Sequence, residues 1–145
     1  VLGRALSEIG GKGVFTRELD DAVTDGRIDV AVHSMKDVPT LLPEGLVLPC
    51  MLKREDVRDV MVSPRFSNFM DMPVGSVIGT TSLRRQSQVL ARYPDLKVVI
   101  FRGNVETRLK KLNEGEVDAT LLALAGLNRL DKTEVITEIL EPERH

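Results

Sequence analysis

Short valine- and leucine-rich runs alternating with amphipathic helical stretches predict an α/β fold for this 145-residue chain. Three observations carry that prediction. Apolar runs of four to six residues recur, a helix-length periodic stretch follows several of them, and glycines or prolines separate the pieces. Such an order implies βαβ units and a mainly parallel sheet covered by helices on both faces.

Thr16 to Thr24 places Leu19, Ala22 and Val23 at helical spacing behind acidic Glu18, Asp20 and Asp21, and Gly26 stands where that helix would end. Ile28 to His33 is an apolar run expected to form a buried strand, delivering Ser34, Met35, Lys36 and Asp37 at its end before Pro39 breaks the pattern. Leu46 to Met51 is a second candidate strand. Lys53 to Arg58 is charged and without apolar periodicity, so a hinge is expected there.

Beyond it the alternation continues. Strands are expected at Asp59 to Ser63, Val77 to Thr80, Lys97 to Phe101 and Ala119 to Leu124, and helices at Leu83 to Tyr93 and Val105 to Asn113. Thr133 to Leu140 reads as a final amphipathic helix, and Ser63 to Met72 has no clear pattern. Asp59 to Leu140 thus completes its own sheet, whereas the first 52 residues lack the partners for one and should be the softer half.

Charge is distributed unevenly. The chain carries a formal net charge of -2, yet Ser82 to Lys111 holds Arg84, Arg85, Arg92, Lys97, Arg102, Arg108, Lys110 and Lys111 against only Asp95 and Glu106. Clustered guanidinium groups in an acidic protein suggest a ligand rich in carboxylate or phosphate. Nucleic acid fits poorly, because aromatics are only 3% and tryptophan is absent. No apolar run is long enough to span a bilayer. Cys50 is the only cysteine, which excludes an internal disulfide and a cysteine metal cluster, and two histidines are too few for a histidine-rich metal site. The chain starts at Val1 and shows no signal or transit segment, so it is expected to be a piece of something longer.

Four junctions carry candidate chemistry. Gly79 to Ser82 lies between a strand and a helix that opens with Arg84 and Arg85. Its exposed N–H groups could hold an anion, although Ser82 could equally be a plain N-cap. Two arginines in a first helical turn oppose the helix dipole, a local violation that favours function. Arg102, Gly103 and Asn104 follow another strand, with Arg108 in the helix they open; Arg108, Lys110 and Lys111 could instead form a solvated face. Asp37 beside Lys36 and Ser34 could bind ligand N–H groups and stabilise a cation, or could simply cap a loop, and His33 reads as a packed residue. Gly10, Gly11, Lys12 and Gly13, before Phe15, form a flexible loop without the spacing of a phosphate-binding P-loop.

Taken in order, IGGKGVFTREL, DVAVHSMKDVPT, KREDVRDV, IGTTSLRRQSQ, FRGNVETRL and LLALAGLNRL closely resemble the porphobilinogen deaminase (hydroxymethylbilane synthase) family of tetrapyrrole biosynthesis. The resemblance implies two lobes like the halves of a type II periplasmic binding protein. Residues 1–52 would be a partial first domain, 53–57 a hinge and 58–145 the second domain, with the third domain absent. It implies Asp37 as the catalytic aspartate. Arg84, Arg85, Arg102 and Arg108 would bind the acetate and propionate arms of cofactor and substrate, helped by Ser34, Lys36, Thr80 and Ser82. Arg129 matches a further family arginine, and Lys12 and Phe15 would lie on a lid near the substrate.

The implied cofactor is dipyrromethane, attached in the family to a cysteine that lies outside this sequence; Cys50, between Pro49 and Met51, sits in the wrong context to replace it. The resemblance further implies stepwise condensation of porphobilinogen by a monomeric transferase of the cytoplasm or plastid stroma, acting without nucleic acid, membrane or metal. A chain lacking the attachment cysteine is expected to be inactive alone. The competing class is a two-lobed carboxylate or oxyanion receptor without catalysis, whose fold would be almost the same.

Overall fold

A computed structural model describes residues 16–142, and the chain divides into two units between Leu52 and Lys53. Lys12 and Phe15, expected on a lid, lie outside the described residues.

In the first unit, helix α1 spans Arg17–Thr24, with Glu18 and Asp20 in its first turn, where they complement the dipole. Ala22 is its buried contact. Gly26 stops it with φ of +70°, which lets the N–H groups of Arg27 and Ile28 turn back onto the Ala22 carbonyl. The expected strands at Ile28–His33 and Leu46–Met51 do not form. Among the described residues no ladder involves anything before Asp59. Val30 is 68% exposed and Val32 84%. An apolar run becomes a strand only when neighbours take up its N–H and C=O groups, and among the described residues no strand does so. The one regular feature after α1 is a 3-10 turn at Met35–Asp37, in which the Asp37 N–H donates to the Ser34 carbonyl at 2.9 Å.

The second unit holds a five-stranded sheet. Its strands are β1 (Asp59–Val62), β2 (Val77–Gly79), β3 (Lys97–Val99), β4 (Ala119–Ala123) and β5 (Glu138–Leu140), in the order β3-β2-β4-β1-β5. The β2–β3 and β2–β4 ladders are parallel, while β1 runs antiparallel to β4 and β5. Strand β1 alone therefore opposes the other four. Alternation along the central strands separates two cores. Val60, Val62 and Leu122 face Phe101, Leu112, Leu124 and Leu127, while Met61, Ala119 and Leu121 face Phe69, Ile78, Val89 and Leu96. Helix α2 (Leu83–Arg92) covers the second face through Val89, and α3 (Val105–Asn113) and α4 (Leu124–Arg129) cover the first through Leu112 and Leu127. Each buried aliphatic side chain contributes about 1.5–3 kcal/mol of transfer free energy.

Two departures from the sequence reading occur here. Thr133–Leu140 is not a helix. It is a 3-10 turn, Thr133–Val135, followed by β5. Its β-branched residues fit a strand, and β1 offered an open edge, which Thr137 locks by donating its N–H to the Met61 carbonyl at 3.0 Å and accepting the Ser63 N–H on its hydroxyl at 2.9 Å. Helix α4 follows β4 without a break, and the continuous apolar run concealed that change of period. The undecided Ser63–Met72 segment holds a 3-10 turn at Phe69–Asp71 capped by Asn68. That turn stacks Phe69 on Tyr93 with ring centroids 5.2 Å apart.

Candidate functional site

Two strand-to-helix junctions converge at the C-terminal edge of the parallel strands. Strand β2 ends at Gly79, where a Cβ would stand 2.6 Å from the Phe101 ring, so only glycine lets Phe101 pack there. Thr80 is buried, and its hydroxyl accepts the Ser82 N–H at 3.2 Å. Ser82 in turn caps α2, accepting the Arg85 N–H on its hydroxyl at 3.4 Å. The two hydroxyls expected to help hold an anion thus also build the turn that presents Arg84 and Arg85. At the other junction Gly103 has φ of +130°, and a Cβ there would come 2.7 Å from the Thr107 side chain. Asn104 caps α3 through the Thr107 N–H at 2.8 Å, which sets Arg108 one turn into that helix.

The guanidinium groups meet around a carboxylate that sequence reasoning passed over. Asp59, the first residue of β1, accepts two parallel bonds from Arg85, 2.6 Å from Nη2 and 3.1 Å from Nε, and a third from Arg84 at 2.7 Å. Arg85 also donates to the Leu121 carbonyl at 3.1 Å, and Arg84 to Gln88 at 2.9 Å. Burial by itself would raise the Asp59 carboxyl, but the hydrogen bonds from Arg85 and Arg84 outweigh it and hold the group below its ordinary value. No local pattern distinguished Asp59 from the other charges of its segment, because its role depends on the pairing of β1 beside β4.

Arg108 differs from this pair. Its Nε is buried and finds no hydrogen-bond partner. Burial, and then the positive charge of Arg85, lower its affinity for the proton below the ordinary guanidinium value. A cation held in that condition is a ready partner for an incoming anion. Arg102 is half-buried at the end of the same strand-to-helix turn, and Arg129 is exposed at the end of α4.

Beside the arginine pair lies a cleft of about 250 Å³ lined by Arg58, Asp59, Arg84, Arg85 and Arg92 together with Phe69, Tyr93 and Leu121. Arg58 is held by Asp56 and Glu141 at 2.7 and 2.6 Å, and Arg92 lies over the Tyr93 ring at 5.9 Å from its centroid. In the first unit Ser34, Lys36 and Asp37 are all exposed on the Met35–Asp37 turn. Cys50 is exposed and free. Among the described residues no group of three His, Cys, Asp or Glu side chains could hold a metal ion, and no helix is long and apolar enough to cross a membrane.

Comparison with known proteins identifies the family of this chain. A family model described as "Porphobilinogen deaminase, dipyromethane cofactor binding domain" matches residues 1–145. The chloroplastic porphobilinogen deaminase of Oryza sativa subsp. japonica is 63% identical over 140 residues, covering 97% of this chain and 39% of the relative. That of Pisum sativum is 62% identical over 141 residues, covering 97% and 38%. The porphobilinogen deaminase of Paracoccus denitrificans is 58% identical over 143 residues, covering 99% of this chain and 46% of the relative. The chain therefore spans less than half the length of these relatives. With arginines of two junctions gathered at one sheet edge, and with that match over its whole sequence, the chain belongs to the porphobilinogen deaminase family.

Proposed function

We propose that this chain is the carboxylate-binding portion of a hydroxymethylbilane synthase, whose whole polypeptide joins four porphobilinogen units head to tail. In each cycle the aminomethyl carbon of porphobilinogen loses ammonia and bonds to the free α-carbon of the terminal pyrrole, which then loses its proton. The observation that carries this reading is Arg108. A buried Nε without a partner, in a group destabilised by burial and by Arg85, fits the acidic arms of a dipyrromethane or of porphobilinogen. Bound there, a dipyrromethane would supply the pyrrole end on which the chain grows.

The residues of this chain have separate tasks. Arg84 and Arg108, with Arg102 at the same edge, bind and orient carboxylates, and Arg85, anchored on Asp59, adds its positive charge to that edge. Thr80 and Ser82 shape the turn that aims Arg84. Asp37 accepts pyrrole N–H groups and stabilises the cation left on the substrate as ammonia departs, while Ser34 and Lys36 donate to the acidic arms. Lys12 and Phe15 belong to a lid over the substrate, and Arg129 contacts a more distant acidic arm. Residues 1–52 are part of the first of two lobes of the periplasmic-binding-protein type, 53–57 the hinge and 58–145 the second lobe. The enzyme works as a monomer in the cytoplasm or, as the names of its rice and pea relatives suggest, in a plastid.

The test separates binding from chemistry. In the full-length protein, Arg108→Gln should weaken porphobilinogen binding by about 1.5–3 kcal/mol. Asp37→Asn should leave affinity largely intact and lower turnover at least about a hundredfold, since it removes a charge that matters most in the transition state. Near-normal turnover in Asp37→Asn would favour a non-catalytic carboxylate receptor.

A further inference from the structure

We propose that Asp59 is a resident carboxylate of the anion site, which occupies Arg84 until a ligand displaces it and so keeps single small anions from binding there. The proposal rests on the reading above only in taking Arg84 and Arg108 as ligand-binding arms.

Asp59 cannot withdraw from the arginines. Its backbone is paired with Ala123 of β4 on one side and Leu140 of β5 on the other, and its side chain is only 13% exposed. The two arginines it holds are unequal. Arg85 is 15% exposed and is tied by two hydrogen bonds donated to Asp59 and a third to the Leu121 carbonyl, so it is a fixed support. Arg84 is 61% exposed and gives Asp59 one hydrogen bond, and it also donates to Gln88 on the next turn of the same helix. Of the pair, Arg84 is therefore the one that can turn toward a ligand.

Displacement has a simple balance. A lone carboxylate that takes Arg84 exchanges one carboxylate for another, while Asp59 keeps its pairing with Arg85, and the net gain is small. A ligand with a second carboxylate can in addition draw on Arg108, which lies near enough to Arg85 to feel its charge and has no existing bond to its buried Nε that must be broken. Asp59 thus sets a threshold that single anions do not clear. It acts through Arg84 as a positioning residue and touches no reacting atom.

The test uses the 145-residue chain and sodium acetate, with binding followed by the backbone amide resonances of Ser82 to Arg85. Asp59→Asn removes the competing charge and should tighten acetate binding by about tenfold. The gain should vanish in the Arg84→Gln background, since the coupling runs through that side chain. A merely structural role for Asp59 would weaken binding or leave it unchanged. An equal gain with Arg84→Gln, or no gain in a chain whose circular dichroism is native, overturns the proposal.

If Asp59→Asn does not fold, the unaltered chain decides the matter. On titration with succinate, the Arg84 Nε–H resonance should shift while that of Arg85 stays in place and protected from exchange. Movement of Arg85 with Arg84 unmoved overturns the proposal. Porphobilinogen enters neither measurement, so a chain that fails to bind it but shows the acetate gain loses only the function proposed above.

Discussion

Ile28–His33 and Ala119–Ala123 are both short aliphatic runs followed by a turn or helix, yet one lies open and the other forms the centre of a sheet. Val30 and Val32 are 68% and 84% exposed, whereas Ala119, Leu121 and Leu122 are between 0% and 3%. Side-chain character does not explain the difference. The second run has β1 and β2 on its two flanks, with helices above and below, and among the described residues the first has no paired strand. A strand is thus a property of an assembly of neighbours, and a run without them exposes what it would otherwise bury.

The largest expected effect comes from truncating a side chain in each region. Leu121→Ala should destabilise the chain by about 2–5 kcal/mol, because it leaves a cavity between α2 and the sheet, while Val32→Ala should change stability by less than about 0.5 kcal/mol. Denaturant unfolding measures both, and amide exchange should be slow through β4 and fast from Ile28 to His33. Equal exchange rates in the two runs would break the comparison.

A second pair of substitutions sharpens it. Gly79→Ala would drive a methyl group into the Phe101 ring, at a cost of about 1–3 kcal/mol from overpacking. Gly26→Ala meets no atom within 4 Å, so only its positive φ opposes the change, at about 1 kcal/mol. Thermal melting should rank Gly79→Ala as the more damaging, and the reverse order would mean that close packing does not govern the second unit.

The smallest effect is that of acid. The Asp59 carboxyl lies below its ordinary value of 3.8 in the folded chain, so the folded state binds fewer protons than the unfolded state as pH falls through that range. Its contribution is complete above the ordinary value and is lost progressively as pH falls through the lowered one. The melting temperature of the unaltered chain should decline over that window more steeply than that of Asp59→Asn. Parallel declines would show that the Asp59–arginine cluster does not stabilise the second unit.

Much of the second unit was legible from one-dimensional pattern. The start of α2 followed from Ser82, the buried strands from their aliphatic runs, the Arg84–Arg85 junction from charge that contradicted the helix dipole, and the Arg102–Arg108 junction from the glycine after a strand. The mistaken helix at Thr133–Leu140 and the missed α4 share one cause. A periodicity is a local quantity, and both segments were decided by what lay beside them: the open edge of β1 for one, the core beneath Leu124 and Leu127 for the other.

The candidate site divides in the same way. By itself the sequence determined which residues carry charge, where glycine and the capping side chains turn the chain, and therefore that Arg84, Arg85, Arg102 and Arg108 stand at the ends of two strands. Only the tertiary structure decided that Asp59, more than twenty residues away in the chain, would neutralise two of them, and that Arg108 would be left beside Arg85 with a buried nitrogen unanswered. The reason is physical. Capping and turn formation act between residues a few positions apart, whereas the strength of a charge depends on its burial and on every charge the fold brings near it.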